Sequence, residues 1–395
     1  MLSNRQLFLK HVAQTSPTPM MLEFVRAYGI YLFDTEGKKY IDLISGFAVS
    51  NIGHGNKHVL HAIKEQSEKY MHLMVYGEVI QSPQVKYAQL LTAHLPENLH
   101  SVYFTNSGAE ATEGAMKLAK QVTGRTKFIH FKNSYHGSTQ GALSVMGDEY
   151  FKSAFRPLLP DIHELRYNNV DDLSEIDCRT AAVICEPIQA ESGVTVPDLE
   201  FMKLLREKCN ENRALLILDE AQTGLGRTGK LWAFEHFGIV PDILLLAKAI
   251  GGGLPLGAFI SSKRNMQQLT ENPVLGHITT FGGHPVSCAA GLAAFEFLLE
   301  NISFTEVENK GSLFESRLKY SAIKSFRRKG LVMAIQFHSA EENKKVIHQC
   351  IKNGLVTDWF LFAADCLRIC PPLIITEEEI DLCCELILKS ISEVY

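Results

Sequence analysis

The chain has 395 residues, 46% of them hydrophobic, which is enough for one large core with an appended lobe or for two ordinary domains. Its formal net charge of −5 comes from intermixed signs, and no basic block could follow a phosphodiester backbone. We therefore expect no nucleic-acid partner. No apolar stretch approaches the roughly 20 residues of a membrane span, so we expect no membrane association either.

The nine cysteines lie in apolar surroundings without a CxxC pattern. This is typical of buried thiols in a reducing compartment and indicates a cytoplasmic protein. Residues 1–17 contain no acidic side chain, which is compatible with a weak transit segment, but they hold one arginine and few serines. We interpret them as an N-terminal helix of the fold.

The middle of the chain alternates short apolar runs with amphipathic helices. One helix is predicted from residue 108 to about 122, and a second carries Phe201, Leu204, Leu205 and Cys209 at helical spacing. The runs are SVYF, AAVIC, ALLIL, DILLLA and LGAFIS. This alternation predicts an α/β fold with a mostly parallel sheet covered by helices, whose ligand site lies beyond the carboxyl ends of the strands.

Polar residues gather at those carboxyl ends. SVYF runs into TNSG, AAVIC into Glu186, ALLIL into Asp219 and Glu220, and DILLLA into Lys248. One pocket could hold them all. After the first of these strands, Ser107 and Glu110 form a capping-box pattern, and the first turn of the helix that follows offers uncovered amides suited to a phosphate.

The last hundred residues differ in character and predict a smaller α+β lobe that the N-terminal segment joins. We place the limits at 1–45 for that segment, 46–295 for the large domain and 296–395 for the small domain. The run of Arg327, Arg328 and Lys329 is interpreted as a solvated turn.

Two tempting motifs are interpreted as accidental. GLGRTGK satisfies GxGxxG and most of a Walker A loop, but it does not directly follow its strand, and Leu231 stands where magnesium binding requires Ser or Thr. A nucleotide-dependent enzyme remains a distant alternative. His54, His58 and His61 lack a matching carboxylate motif, so no metal site is predicted.

Asp219 and Lys248 are more informative together than apart. They end successive buried strands near a helix start suited to phosphate. An aldehyde cofactor with a phosphate and a pyridine nitrogen would use all three features: the lysine would form an imine, the carboxylate would pair with the protonated ring nitrogen, and the amides would hold the phosphate.

At this point the sequence resembles the class III aminotransferases, which include ornithine, acetylornithine, 4-aminobutyrate and putrescine aminotransferases. The motifs that carry the resemblance occur in the family's order over essentially the whole chain: TNSGAEA, YHGST, EPIQAESG, LILDEAQTGLGRTG, LLLAKAIGGGLPLGA, TTFGGHP and LRICPPLIIT. The resemblance implies a fold type I transferase with a seven-stranded sheet, pyridoxal 5′-phosphate as cofactor, and a homodimer with shared active sites.

The resemblance also implies roles for individual residues. Ser107, Gly108 and Ala109 would lie at the phosphate, Tyr135 would stack on the ring with His136 beside it, and Gln222 would approach the phenolic oxygen. Thr280 is similar to a threonine that reaches the phosphate of the neighbouring subunit. Lys248 would carry the imine and move the proton, and Asp219 would keep the ring protonated.

The implied reaction is a ping-pong transfer of an amino group from an ω-amine to 2-oxoglutarate. Arg368 resembles the family's arginine for the acceptor's α-carboxylate, and Glu191 resembles the glutamate that neutralises it in the other half-reaction. A racemase, decarboxylase or aminomutase on the same cofactor is the main alternative.

One departure from the family pattern concerns the donor. Ornithine, acetylornithine and 4-aminobutyrate enzymes usually carry arginine after the HG of this motif, whereas YHGST supplies Ser138. A donor carboxylate would lose an anchor there, and Phe47 would add apolar surface at the entrance. We therefore expect diamines to compete well with ornithine-type donors, unless an arginine such as Arg156 or Arg166 substitutes in space.

Overall fold

The computed structural model describes residues 2–75 and 77–395. Its strands form three sheets. The strands are β1 Phe24–Tyr28, β2 Tyr31–Asp34, β3 Lys39–Asp42, β4 Ser101–Thr105, β5 Lys127–Phe131, β6 Ile162–Leu165, β7 Thr180–Cys185, β8 Leu215–Asp219, β9 Ile243–Leu246, β10 Gly257–Ser261, β11 Ser325–Lys329, β12 Val332–Gln336, β13 Leu355–Val356, β14 Trp359–Phe360 and β15 Ala363–Ile369.

The α-helices cover these sheets and link them. They are α1 Asn4–His11, α2 Ser45–Ala48, α3 Lys57–Lys69, α4 Ser82–Ala93, α5 Gly108–Thr123, α6 Gln140–Ser144, α7 Leu199–Asn212, α8 Lys263–Met266, α9 Pro285–Asn301, α10 Phe304–Arg317, α11 Ala340–Lys352 and α12 Glu377–Ser392. The N-terminal helix expected from residues 1–17 is therefore present as α1 and is solvent-exposed along its length.

The central sheet has seven strands in the order β4-β10-β9-β8-β7-β5-β6. All neighbours pair in parallel except β10, which is antiparallel to both β4 and β9. Strands β5, β7, β9 and β10 are buried at every position, as expected of strands with both faces covered. The predicted α/β class and mostly parallel sheet are confirmed.

Two smaller sheets flank the central one. In the first, ordered β1-β2-β3-β13, the N-terminal strand β3 pairs in parallel with β13 near the other end of the chain. The second is antiparallel, in the order β11-β12-β15-β14. The pairing of β3 with β13 supports the predicted union of the N- and C-terminal segments, whose limits at 45 and 295 stay predictions.

The interpretation of residues 327–329 as a turn was wrong, because they belong to β11. Arg327 Nε donates to the Gly193 carbonyl at 2.6 Å, and Arg328 pairs with Glu308 and Glu315 at 2.6 and 2.8 Å. These partners come from other elements, so the charges are satisfied in a half-buried strand that a local charge pattern cannot reveal.

Arg227, inside the GLGRTGK loop, connects segments that lie far apart in the sequence. Its guanidinium is buried and donates to Asn51 Oδ1 at 2.6 Å and to the carbonyls of Leu331 and Pro371. Residues 224–230 form turns, and no helix begins directly after them in the described chain. This loop thus lacks the geometry of a dinucleotide or Walker A site. Its arginine instead stabilises the packing of the segments that contain Asn51, Leu331 and Pro371.

Eight of the nine cysteines are buried, Cys178 is exposed, and all are free thiols. Across the described ranges, no single helix is long and apolar enough to cross a bilayer. Helices α9 and α10 reach that length only as a pair, which is bent by 77°.

Candidate active site

A cavity of about 710 Å³ opens at the carboxyl edge of the central sheet. This is the edge at which parallel α/β sheets place their ligands. Eleven of the residues singled out in the sequence line it, contributed by four strand ends and the start of α5: Ser107, Gly108, Ala109, Tyr135, His136, Ser138, Glu186, Glu191, Asp219, Gln222 and Lys248.

The neighbouring strands β8 and β9 bring Asp219 and Lys248 to this cavity. The two strands are parallel, with Asp219 opposite Leu245, so their carboxyl ends lie side by side. Lys248 begins a one-turn 3-10 helix in a left-handed conformation (φ 56°), and its Nζ donates to Gln222 Oε1 at 3.1 Å. Its side chain is thereby directed into the cavity rather than into the core.

Burial lowers the pKa of the Lys248 ammonium, although the carboxylates of Glu191, Asp219 and Glu186 attract the positive charge. A lowered pKa makes the neutral amine more available, and the neutral amine is the form that attacks a carbonyl and accepts a proton. The surroundings of Lys248 therefore suit a nucleophile and base.

Asp219 is held by two hydrogen bonds. Its Oδ2 lies 2.8 Å from His136 Nδ1, and its Oδ1 accepts from the Ala221 backbone N–H at 3.0 Å. Because a carboxylate only accepts, His136 Nδ1 is the donor, which orients both side chains. The buried Asp219 can thus present negative charge to a cation in the cavity.

Helix α5 begins at the cavity with Ser107 as its N-cap, and Ser107 Oγ accepts from the Glu110 N–H at 3.2 Å. The second half of the predicted capping box was wrong, since the Glu110 carboxylate accepts from the Asn106 backbone and side chain instead. A β-carbon at Gly108 would lie 3.2 Å from Ala247 Cβ. Glycine therefore lets the first-turn amides of α5 approach the end of β9.

Tyr135 and Ser138 lie on the loop after β5, and their hydroxyl groups are 3.1 Å apart. Between them Gly137 has φ 126°, and a β-carbon there would lie 2.6 Å from Ala109 Cβ, so only glycine fits. The Tyr135 N–H donates to Glu186 Oε1 at 3.0 Å. Glu186 is a cavity residue whose role the sequence did not indicate, beyond its place at a strand end.

Arg368 is buried and packs behind the cavity wall, where it binds two carboxylates. Its Nη1 and Nη2 donate to the two oxygens of Glu191, both at 2.9 Å, and its Nε donates to Asp358 at 2.8 Å. The guanidinium also lies 4.2 Å from the ring of Phe360 and 5.0 Å from the ring of Phe47. Glu191 lines the cavity, so it stands between Arg368 and the open space.

The two carboxylates of this cluster differ in pKa. Burial opposes ionisation of Glu191, but the attraction of Arg368 outweighs it and lowers the pKa to about 2. Burial raises the pKa of Asp358 to about 6 against the same attraction. One guanidinium carries a single positive charge and can neutralise only one carboxylate. Glu191, which makes two hydrogen bonds to Arg368, is the carboxylate that it neutralises. Sequence patterns gave no signal for Asp358.

Other predicted residues lie outside this cavity. Phe47 is 44% exposed beside Arg368, and Thr280 is exposed on the segment before α9. Arg156 pairs with Glu149 at 2.7 Å, and Arg166 pairs with Asp172 at 2.6 Å. Neither arginine lines the cavity, so the structure gives no local replacement for the arginine missing at Ser138.

The donors left in the cavity fit pyridoxal 5′-phosphate. Three buried polar atoms of lining residues have no hydrogen-bond partner within the described chain: His136 Nε2, Gln222 Nε2 and Thr223 Oγ1. Such atoms are costly unless a ligand satisfies them. Together with the amides of α5, the Asp219 carboxylate and the Lys248 amine, they match a phosphate, a ring nitrogen, a phenolic oxygen and an aldehyde.

The His54, His58 and His61 group does not assemble into a metal site. His54 Nε2 lies 2.8 Å from Asp42, whereas His58 and His61 pair weakly with Glu296 and Glu65. No group of three metal-binding side chains that could hold an ion occurs among the residues that the structure describes.

Comparison with known proteins gives consistent matches. The family model for Aminotransferase class-III matches residues 12–391. The acetylornithine aminotransferase of Methanopyrus kandleri is 39% identical over 376 residues, covering 94% of each chain. The LysW-aminoadipate semialdehyde/glutamate semialdehyde transaminase of Sulfurisphaera tokodaii is 42% identical over 321 residues, covering 80% of this chain and 81% of that protein.

The fold agrees with solved structures. The ornithine aminotransferase of Toxoplasma gondii, crystallised with partial occupancy of pyridoxal phosphate at its active site, superposes with a TM-score of 0.92 at 29% identity, covering 98% of this chain and 93% of that one. Fold and site together define a pyridoxal-phosphate-dependent enzyme of the aminotransferase fold. Within that class, the chain belongs to the class III aminotransferases.

Replacing Lys248 by alanine removes the amine that is directed into this cavity. We expect turnover to fall at least about a thousandfold, because a positioned proton carrier alone contributes about 10²–10⁴-fold. The measurement is steady-state turnover of the purified holoenzyme. Lys203→Ala, on the exposed face of α7, is the matched control and should behave as wild type. Near-normal transamination by Lys248→Ala would rule out the assigned role.

Proposed function

We propose that this enzyme transfers the amino group of an ω-amine to 2-oxoglutarate in two half-reactions with ping-pong kinetics. The observation that carries the proposal is the paired arrangement of Lys248 and Asp219 in the cavity, with Arg368 behind a carboxylate that lines it. The family assignment favours transamination over a racemase, decarboxylase or aminomutase. The course of the Arg227 loop speaks against the nucleotide-dependent alternative.

When bound, pyridoxal 5′-phosphate supplies a carbonyl for the amino group and a ring that accepts the electrons released at the donor carbon. Ser107, Gly108 and Ala109 hold the phosphate through the first-turn amides of α5. Lys248 Nζ would carry the proton away from the donor carbon within the first half-reaction and would deliver a proton to the acceptor carbon in the second, so the lysine itself is unchanged after each half-reaction. Asp219, oriented by His136, keeps positive charge at the ring nitrogen.

The Arg368 cluster serves the acceptor. With a donor that has no carboxylate at this point, Glu191 neutralises the guanidinium through its bidentate pair. The α-carboxylate of 2-oxoglutarate replaces Glu191 on Nη1 and Nη2, since both are carboxylates of similar geometry. Asp358 keeps its bond to Nε in both states. Asp358 is thus a positioning residue. It holds the Arg368 guanidinium in place while Nη1 and Nη2 exchange the Glu191 carboxylate for that of the acceptor.

The cavity suits a donor without a carboxylate near Ser138. Among the described residues that line it, Lys248 is the only lysine or arginine, whereas Glu186, Glu191 and Asp219 are acidic. The described lining therefore offers no guanidinium to anchor a further carboxylate on the donor, which favours a donor with a second amine. The relatives named acetylornithine aminotransferase favour the opposite choice, and a direct comparison of donors decides between them.

A homodimer with shared active sites is part of the proposal. Exposed apolar side chains gather on two segments, which meet where the rings of His72 and Phe281 approach to 4.8 Å. They include Met71, Leu73, Met74, Ile80, Ile278 and Phe281. Thr280 lies on this surface, which supports its role at a neighbouring phosphate. Sedimentation at the 44.1 kDa of one chain would contradict the dimer.

The proposed location is the cytoplasm. The support is the free state of all nine cysteines, since a reducing compartment keeps thiols from forming disulfides.

Asp358→Asn should raise the KM for 2-oxoglutarate about tenfold with little change in the KM for the amine, because a hydrogen bond to a charged group contributes about 1.5–3 kcal/mol. In wild type, the carboxylate is charged above pH 6 and protonated below it, so the KM for the acceptor should rise as pH falls through about 6.

The Asn variant should lose that pH dependence. Initial rates at pH 5 to 8 test both statements, and Asp381→Asn, which alters an exposed ion pair with Arg317, is the control. An acceptor KM in Asp358→Asn equal to that of wild type across this range would refute the positioning role.

Donor preference is tested by kcat/KM for putrescine, ornithine, acetylornithine and 4-aminobutyrate at one concentration of 2-oxoglutarate. We expect putrescine to lie within about tenfold of the best carboxylated donor, because a neutral hydrogen bond from Ser138 contributes only about 0.5–1.5 kcal/mol. A preference of about a hundredfold for any carboxylated donor, or about 2.7 kcal/mol, would overturn the diamine interpretation.

A further inference from the structure

A second polar cavity, of about 660 Å³, lies at the amino-terminal edge of the central sheet. Strand β8 connects the two cavities, since Leu215 at its start lines this one and Asp219 at its end lines the active site. The two residues are the ends of a five-residue strand and therefore lie about 13 Å apart. The cavity is therefore distinct from the catalytic one and faces the opposite edge of the sheet.

The charge of this cavity is one-sided. Its lining includes Arg125, Arg206, Arg213 and Arg264, against a single carboxylate, Asp242. The arginines come from separate stretches of the chain, so the sequence shows no basic cluster, and the fold alone assembles one. The remaining polar lining is neutral. The field inside therefore favours an anion that carries more than one negative charge.

Two of these arginines stand apart from all others in the chain. The sequence contains fourteen arginines. Within the described ranges 2–75 and 77–395, all except Arg213 and Arg264 have a side-chain hydrogen bond, an ion pair or an aromatic ring as partner. The two exceptions line the same cavity, and both are exposed.

The other two arginines are fixed by protein groups. Arg125 Nη1 donates to the carbonyls of Thr180 and Asn212 at 2.9 and 2.8 Å. Arg206 Nη1 pairs with Asp242 at 2.8 Å, and the same Asp242 oxygen accepts from the Leu216 N–H. Asp242 is thus already used within the protein, and the wall that Arg125 and Arg206 form is held in place before a ligand arrives.

We propose that this cavity binds a compact phosphate-bearing anion with two or more negative charges, such as the pyrophosphate group of a phosphorylated metabolite. Guanidinium groups match phosphate oxygens with paired hydrogen bonds. The cavity is large enough for a small organic ligand. No aromatic side chain occurs among its described lining residues, so recognition is directed to the phosphates and not to a stacked base.

The test is calorimetric titration of the holoenzyme, saturated with pyridoxal 5′-phosphate, with inorganic pyrophosphate at constant ionic strength. The site variant is Arg213→Asn with Arg264→Gln. Asn tolerates the left-handed conformation of residue 213 (φ 53°), so the fold is kept. The control, Arg156→Gln with Arg166→Gln, removes the same charge from exposed arginines outside both cavities.

We expect one pyrophosphate per chain, with binding at least about tenfold weaker in the site variant and unchanged in the control. If pyrophosphate binding weakened equally in both variants, the loss of net charge alone would explain the effect, and the proposal would be overturned. Binding of citrate as tight as that of pyrophosphate would overturn the assignment to phosphate. Absence of pyrophosphate binding to the wild-type holoenzyme would remove the site altogether.

Discussion

The parallel pairing of β8 and β9 is the constraint on which the active site depends. The pairing sets Asp219, the last residue of β8, opposite Leu245 in β9. Lys248 follows two residues after the end of β9, so the carboxylate and the amine lie at the same edge of the sheet. The strand pairing alone brings these two oppositely charged groups close together, without a contribution from a long loop. A rigid sheet therefore fixes the positions of the Asp219 carboxylate and the Lys248 backbone relative to each other.

Electrostatics around this pair explain why charged groups tolerate burial there. Three carboxylates surround the single Lys248 in the cavity, and burial and then the charge of Asp219 raise the pKa of Glu186 well above its ordinary value. Arg368 compensates behind the wall, where it keeps Glu191 ionised. Burial thus favours the neutral form of Glu186, whereas Glu191 stays charged because Arg368 pairs with it, so neither group is an uncompensated buried charge.

Much of the site could be predicted because its signals are local. Apolar runs predicted several strands, and the polar residues that follow them (Ser107, Glu186, Asp219 and Lys248) could be expected in one cavity. Tyr135, His136, Ser138, Gln222 and Glu191 could be expected there only through the resemblance to the class III aminotransferases. The antiparallel direction of β10 could not be predicted, because LGAFIS is as apolar as the strands of the sheet that pair in parallel. Direction depends on the connection, not on the strand's composition.

Features that depend on long-range contacts were missed. Residues 327–329 were predicted as a turn, but Arg328 pairs with Glu308 and Glu315 within a strand. The Glu110 carboxylate was predicted to accept from the Ser107 backbone, but it accepts from Asn106. Asp358 lies ten residues before Arg368, directly ahead of β14, which pairs with β15, and this spacing has no periodic signature. The four arginines of the second cavity are likewise brought together only by the tertiary fold.

We propose that the Asp219 carboxylate, oriented by His136, is required for catalysis in this cavity. The most direct measurement is kcat of the Asp219→Asn holoenzyme at saturating cofactor and both substrates. Asparagine keeps the size of the side chain and an oxygen for His136, but it removes the negative charge. We expect kcat to fall by more than about a hundredfold, or about 2.7 kcal/mol in the barrier. A variant with saturated cofactor and kcat within about twofold of wild type would contradict this role of Asp219.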